Sequence, residues 1–583
     1  MSQFRFALLL HFLSCAAVAH AAEELTIPEI QGAGHESPYL RSLVRTQGVI
    51  THVARDSFYI FDAVGDGDDA TSDAILVRRP RHGYSVGDLV IVEGQVDERP
   101  PFGDNVLPIT SIRNAVVQLQ SSGNEVEPVI VGLFGRMPPT ETVYAPFAEG
   151  NPNVSGMAFY ESLEGALLRL ERPVVVGPTN QFGEFFVVAE VGQQATGMNS
   201  LGGISLTPGD QNPEIIQIQL RGSLANDSKF QVGIGDTFEF LQGILSYDRG
   251  LYELILIEAG EVSENPRPRH SIELSDITDS QLTIASYNVQ NLDPIIEALE
   301  RVPDADEIDD DIADGVFSGI ATHIVQDLGS PDIVALQEVQ DSDGAEFSAE
   351  VSADLTLKTL LETIADAGGP QYESASFDPE DDAVGGQPGG NIQVAFLYNP
   401  ERVALVPGSL ETIEAPAFVR SRLPLAASFE FANTIVNIVN VHFSSKGGSD
   451  PLYGTVQPPS DRSLLQRTDQ ARAVRSYLRE LSGSGVDQPT VVLGDFNSFW
   501  FEAPLLLLSG GVPNGKNLTI EQSALERVSY SFQGNSQALD HVVVFLNGEQ
   551  SAELRALHVN SVQPDSERIS DHDPKLVILS FDQ

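Results

Sequence analysis

The chain holds one cysteine in 583 residues, and that one, Cys15, falls in an N-terminal stretch that reads as an export signal. Arg5 precedes the apolar run FALLLHFL, and the small-residue stretch SCAAVAHA offers cleavage after Ala19-His20-Ala21. Removal of residues 1–21 would leave a chain without a thiol, which excludes disulfide staples and thiol catalysis and leaves burial alone to build the cores. The residues ahead of Cys15 (Phe12, Leu13, Ser14) make a poor lipidation signal. The expectation is a secreted bacterial protein, extracellular or periplasmic in transit.

Basic residues are scarce as well, 33 against 83 acidic, for a formal charge of -50. Such a surface repels polyanions at long range and keeps the chain soluble in salt, which counts against nucleic-acid binding by the surface as a whole. It leaves room for a nuclease, because a bound divalent cation and a few local Arg and Lys reverse the potential within one cleft. After the export stretch no run reaches the roughly 18 apolar residues of a membrane span, so no stable membrane association is expected. No obligate protein partner is inferred either.

At roughly 100–200 residues per domain, the length implies three or four domains. From 25 to 120, β-branched segments alternate with turn residues (VRTQGVITHVA, SFYIFDA, AILVRR, GDLVIVEGQV), the pattern of a small all-β domain. A related series recurs at 128–262, with Gly235-Asp236 matching Gly87-Asp88, and predicts a second barrel-like domain. Short strands at this spacing suit a five-stranded barrel, and the first copy resembles the OB-fold domains found ahead of catalytic domains in some secreted bacterial nucleases. Such a barrel binds single strands through a basic, aromatic face, for which Arg45, Phe58, Tyr59, Arg78, Arg79 and Arg81 are candidates; a spacer role is the alternative. The loop carrying Asp62, Asp66, Asp68, Asp69 and Asp73 reads either as an acidic hairpin turn or as a site for a structural Ca2+. The proline-rich stretch ENPRPRHSIELSDITDSQ places the next boundary near Ser280.

Beyond it, mostly apolar strands each end in polar groups: LTIASYN, DIVALQE, QVAFLYN, IVNIVNVH, TVVLGDFN, ALDH and SDH. Strand ends are where sheet enzymes carry chemistry. Helical stretches alternate with them, as in VFSGIATHIVQDLG, where Ile320, Ile324 and Leu328 share a face, and LLQRTDQARAVRSYLREL. Glu338 closes an apolar strand, where an unpaired buried charge costs several kcal/mol, roughly, so a hard cation is its natural partner.

The segments SYNVQNL, PDIVALQEV, VHFSSKGG, VVLGDFNS, ALDHVVV and ISDHDP, in that order, resemble the endonuclease/exonuclease/phosphatase family, which includes deoxyribonuclease I-like enzymes. The resemblance spans 280–583 and implies a four-layer α/β sandwich whose two sheets converge on the active site. It further implies that Glu338 is the principal Mg2+ or Mn2+ ligand, with Asn288, Gln290 and Asp571 completing the shell. Asp495 would accept a proton from, or orient, the attacking water, and the neutral amides of Asn288 and Asn497 can bind metal-held water or a phosphoryl oxygen without adding negative charge. His572 would be held by Asp540 and act as general base or as transition-state donor. His442 matches a second family histidine suited to protonating the leaving 3′ oxygen. Arg422, Lys446 and Asn391 are the candidate phosphate contacts. Gln290 departs from the acid found in some relatives, and the loops PLYGTVQPPSDRSLLQ and DPEDDAVGGQPGG are expected to shape the cleft.

The whole reads as N-terminal all-β, OB-like barrels followed by a four-layer α/β catalytic domain. The leading function is an extracellular endonuclease for DNA, and RNA as a second substrate, with little sequence specificity. The alternatives are a phosphoesterase of the same fold acting on lipid or small phosphate esters, and a non-catalytic protein binding nucleic acid or matrix.

Overall fold

The computed structural model describes residues 21–581 apart from 149, 266–271, 273, 484–487, 512–513 and 548–549. The expected signal segment, up to residue 20, and residues 266–271 and 273 of the proline-rich linker lie outside the described residues. The chain divides into two compact units, one built on the first hundred residues with 108–127 and 161–166, the other holding the rest.

In the first unit, alternating β-branched residues produce the strands Leu43–Val53, Ser57–Phe61, Ala74–Arg78, Leu89–Arg99 and Ile109–Ser121. Along Leu89–Arg99 every second residue, Val90, Val92 and Val96 among them, turns into a core shared with Ile50, Phe58, Ile75 and Ile112. The ladder runs from Leu43–Val53 through Ser57–Phe61, Ala74–Arg78 and Ile109–Ser121 to Leu89–Arg99, which pairs back onto the first strand from Leu43↔Gln95 to Val49↔Leu89. The expected basic, aromatic face does not form. Phe58 is fully buried in the core, and Tyr59, on the opposite face of the same strand, is covered by the close approach of Gly165, where a Cβ would stand 3.1 Å from its ring. Arg45 pairs with Glu24, Arg78 donates to Ser111 and Arg79 to the Ala115 carbonyl. The aspartates of the 62–73 loop act as turn caps: Asp62 accepts from the Val64 N–H, and Asp66 from the Asp68 N–H and the Thr71 hydroxyl. They are not among the groups of the described residues that converge closely enough to share a metal ion.

The second β region differs from the expected barrel. Nine strands between Val129 and Ser263 form one mixed sheet whose pairings run from Val262–Ser263 at one edge to Val129–Val131 at the other, with no return pairing among the described residues. What recurs is local. Gly87 and Gly235 both take positive φ, and Asp88 and Asp236 each accept the backbone N–H three residues earlier, from Ser85 and Gly233. The matching dipeptide thus specifies a turn, and a turn leaves the order of the strands open.

The rest of the second unit is a four-layer sandwich. One sheet has the order Glu373–Ser376, Gln393–Tyr398, Ile333–Val339, Gln281–Leu292, Lys575–Phe581, Gln550–Ala556. The other has Ala404–Leu405, Leu425–Phe431, Thr434–His442, Thr490–Asp495, Asp540–Phe545, Lys516–Asn517. Both faces of the central strands are buried, so their sequences are almost continuously apolar, with alternate residues going to different cores. Ile284, Ile333 and Phe396 meet Phe429, Ile438, Val491 and Val542 between the sheets. Val334 and Leu336 face the helices Val316–Thr322 and Asp354–Asp366. Val439, Val441 and Val492 face the helices Leu464–Gly483 and Ala503–Ser509. Ile320, Ile324 and Leu328 all enter the helix-side core, although a π turn at His323–Asp327 replaces the continuous helix expected there. A polar tie crosses between the sheets: the Asn440 amide donates to the Leu336 and Ala395 carbonyls at 2.8 and 3.0 Å and accepts from Gln337 Nε2 at 2.7 Å.

Candidate active site

Three site residues follow from strand register. His442 pairs with Asp495, and Asp495 with Asp540, so the three form one row across adjacent strands of the second sheet. They share the phase of Ile438, Val491 and Val542, which face the first sheet. Gly494 permits the close approach, because a Cβ there would stand 2.0 Å from the Val441 carbonyl oxygen.

The first sheet supplies its groups by breaking the alternation. Val334 and Leu336 point to the helices, and strict alternation would send Glu338 the same way. Instead Glu338 takes φ +60°, the ladder slips between Leu336 and Val339, and Val339 takes over the helix-side position. The carboxylate is thereby turned into the cleft, within 3.5 Å of His442 Nε2. Left-handed backbone at a non-glycine residue costs roughly 1–3 kcal/mol and gathers at functional sites. Asn497 shares it at φ +48°, as does Gln290 at +52°. Asn288, fully buried, donates to Glu338 Oε1 at 3.0 Å and lies 3.4 Å from Asp495 Oδ2, linking the sheets.

Around this centre Asn497 donates its N–H to Asp495 Oδ1 at 2.7 Å and its amide to Oδ2 at 3.0 Å. Burial, with Asp540 and Glu338 nearby, pushes the Asp495 carboxyl up to about 7. His572 Nδ1 stands 2.7 Å from Asp540 Oδ2. Burial disfavours its imidazolium, but Asp540, then Asp571 and Asp495, outweigh burial and raise its pKa well above the usual imidazole value. His442 behaves oppositely: burial, then the charges of Arg422 and His572, hold it well below that value. Its partner is a guanidinium, Arg422 Nε donating to Nδ1 at 3.2 Å, which leaves Nε2 to carry the hydrogen. His442 is therefore a neutral hydrogen-bond donor, which does not suit the proton-donor role expected from the resemblance.

The remaining candidates divide. Asp571 lies beside Glu338, whose carboxyl is raised by burial and then by the Asp571 charge, and Asp571 Oδ1 is buried without a donor. Arg422 is buried against His442 and the Phe443 carbonyl. Gln290 is exposed where the ladder shifts between Asn288 and Leu292, and its backbone N–H donates to Asn288 Oδ1. Lys446 is engaged elsewhere, with Asp461 at 2.7 Å, Glu502 at 3.0 Å and the face of Phe499. Asn391 serves the scaffold, its amide donating to Asp341 and the Glu350 carbonyl.

Sequence reasoning missed several groups that hold the centre. Ser570 donates to the Asn288 carbonyl at 2.7 Å, and Asn560 to the His572 carbonyl at 2.7 Å. Tyr530 lies 4.8 Å from the His572 ring, ring centre to ring centre, and forms a backbone bridge with it. Only Ser570, inside SDHDP, had a signal in its motif; Asn560 and Tyr530 arrive from distant segments.

Glu338, His442 and Asp495 offer ligand atoms that all lie within 4.8 Å of one another. The carboxylates of this group, with the donorless Asp571 oxygen, fit a hard divalent cation, while His442 Nε2 keeps its hydrogen and stays outside the ligand set. A second such group, Asp293, Asp309 and Asp311, lies beyond the end of the Gln281–Leu292 strand.

Residues 285–572 match the model of the endonuclease/exonuclease/phosphatase family, and residues 130–266 that of a domain of unknown function, DUF8508. The chain belongs to the endonuclease/exonuclease/phosphatase family through its C-terminal domain, whose members are hydrolases of phosphate esters that generally use divalent metal ions. No curated protein matches the chain. Among solved structures it is similar to TDP2 of D. rerio complexed with single strand DNA product, at 17% identity and a TM-score of 0.34, over 52% of this chain and 99% of that one. It is also similar to the human nocturnin catalytic domain with bound sulfate, at 16% and 0.33, over 52% and 95%. A third is a mannosyl-6-phosphatase of Bacteroides thetaiotaomicron, at 18% and 0.33, over 52% and 100%.

Proposed function

We propose that the protein is a secreted, Mg2+- or Mn2+-dependent phosphodiesterase that hydrolyses nucleic acid, DNA first, with little sequence specificity. The observation that carries this reading is the meeting of Glu338, Asp495 and two oppositely set histidines where the sheets converge. Glu338 and Asp571, with Asn288 beside them, would hold the cation, which when bound supplies positive charge next to the phosphoryl oxygens. Asp495 takes the proton of the attacking water; a carboxyl at about 7 suits a base near neutral pH. His572, kept charged by Asp540, donates to the phosphoryl group as its negative charge develops. His442 adds a neutral N–H.

Room on two sides favours a polymer over a small ester. A cleft of about 310 Å³ borders Tyr530, and one of about 860 Å³ borders Arg422. In this reading 280–583 is the catalytic domain, 25–120 and 128–262 are β domains ahead of it, and the N-terminal segment directs export. The return pairing of Leu89–Arg99 onto Leu43–Val53 supports an OB-like barrel in the first of these, acting as a spacer because its aromatics are buried.

Plasmid nicking by the full chain tests the proposal, in Mg2+, in EDTA and for His572→Ala, beside sphingomyelin and inositol phosphate as competing substrates. Nicking in Mg2+ alone, lost in the variant, is expected. Intact plasmid with hydrolysis of another ester would overturn the substrate; activity confined to cell lysates, with none in the medium, would overturn export.

A further inference from the structure

We propose that the DUF8508 region supplies one wall of a nucleobase-stacking subsite beside the catalytic centre, a function that its family match does not carry. The inference rests on the nucleic-acid reading above and names where the strand next to the scissile phosphate lies.

The two regions are joined at this point by backbone. The hairpin of Tyr530–Phe532 and Asn535–Gln537 continues into the β region through a parallel ladder, Ile204↔Asn535 and Ser205↔Ser536. Asn212 Nδ2 donates to Asn535 Oδ1 at 2.7 Å, and Gly177 packs so closely that a Cβ there would stand 2.7 Å from Gly534 Cα. The hairpin is therefore fixed from both sides, and so are the rings it carries.

Those rings lead away from the centre. Tyr530 lies 4.8 Å from His572, and Phe532 follows 6.5 Å further, inclined 20° to Tyr530. Phe182, from the β region, lines the same cleft of about 310 Å³. Phe182 and Phe532 are 56% and 49% exposed. A single exposed aromatic is ordinary, but two from different regions facing one cleft next to a catalytic histidine form a stacking platform. Arg249 lies 5.9 Å over Phe182 and helps hold that ring.

Charge decides which part of a nucleotide enters. Arg249 is paired with Glu184 at 2.6 Å and Asp248 at 3.3 Å, and Arg568 with Asp565 at 3.0 Å. Three carboxylates answer two guanidiniums, so the cleft offers no net positive charge to a phosphate. Its aromatic faces and the amides of Gln217 and Gln533 suit the flat, hydrogen-bonding surface of a base. Stacking without a basic reader gives little sequence preference.

The test compares kcat/KM for a single-stranded hexanucleotide with that for a dinucleotide in Mg2+, for the full chain and for Phe182→Ala/Phe532→Ala. The ratio between substrates is read because it is insensitive to partial loss of folded enzyme. It should fall about tenfold in the variant, the scale of one lost base–aromatic stack. A 2-aminopurine placed next to the cleavage point should be quenched on binding in EDTA, and Phe532→Ala should abolish the quenching. Cleavage of both substrates with an unchanged ratio and unchanged quenching would overturn the subsite alone. If the full chain cleaves neither oligonucleotide while hydrolysing another phosphate ester, the nucleic-acid reading fails and the subsite falls with it.

Discussion

The two sheets of the sandwich build the same centre by opposite means. The second sheet keeps strict alternation, so His442, Asp495 and Asp540 arrive in one row by register alone. The first breaks it, with a left-handed Glu338 and a slipped ladder bringing a helix-side position into the cleft. Regular backbone delivers a row of equivalent positions. Irregular backbone delivers one group where no strand position points, at a local cost that the surrounding buried layers bear.

The largest expected effect lies at the end of the regular row, where Asp540 holds an imidazole that comes from just ahead of the Lys575–Phe581 strand of the first sheet. His572→Ala, which removes the imidazole held by Asp540, should lower kcat about 10²–10⁴-fold, read as initial hydrolysis rates at fixed Mg2+. A loss under tenfold would separate the row from the chemistry.

Next is a pH effect from the Asp540–Phe545 strand. His541, one residue after Asp540, is fully buried with Nε2 against the Ser498 and Ala538 carbonyls, and burial, then Lys575, lowers its pKa to about 4. An unfolded histidine takes up a proton near pH 6.5, while the folded one refuses it until about pH 4. Stability from this group is thus complete above about pH 6.5 and is lost as pH falls toward 4, by about 3 kcal/mol in all. Urea unfolding of the full chain and of His541→Gln should show that difference shrinking by this amount across the window. Parallel curves would contradict it.

The tie between the sheets comes third. Asn440→Leu leaves the Gln337 amide with the Ala335 carbonyl alone as acceptor, one N–H buried without a partner, and should cost about 1–3 kcal/mol, while Gln337→Leu/Asn440→Leu should recover part of the loss. Urea midpoints of the two variants decide it.

The smallest effect sharpens the irregular side. Asn288→Ala removes the amide that braces Glu338, and the Mg2+ concentration for half-maximal rate should rise about 10–100-fold. An unchanged requirement would mean that the turn at 338 needs no brace.

The same contrast explains what was legible in the sequence. Apolar strands that end in Asp495 and His442 or open on Asp540 could be read because alternation carries them, and Glu338 because a charge closes an apolar run. That Glu338 lies in the wrong phase and is turned back by φ +60° leaves no trace in composition. Lys446 stands beside a motif, yet Asp461 and Glu502, far along the chain, claim its charge. The nine-stranded sheet that stands in place of the expected second barrel was not legible for a related reason: Gly235-Asp236 repeats the Gly87-Asp88 turn, but strand order depends on contacts between distant segments. Tyr530 and the Arg422–His442 bond were invisible for that reason too.

The central claim is that both sheets contribute to one metal-dependent centre. Its most direct test is kcat/KM on bis(p-nitrophenyl) phosphate for Glu338→Gln, Asp540→Asn and the two together. Groups acting as a unit lose activity non-additively, so the double variant should be little worse than the poorer single one, with all activity lost in EDTA. Multiplying losses, or activity that survives chelation, would contradict a single centre built from the two sheets.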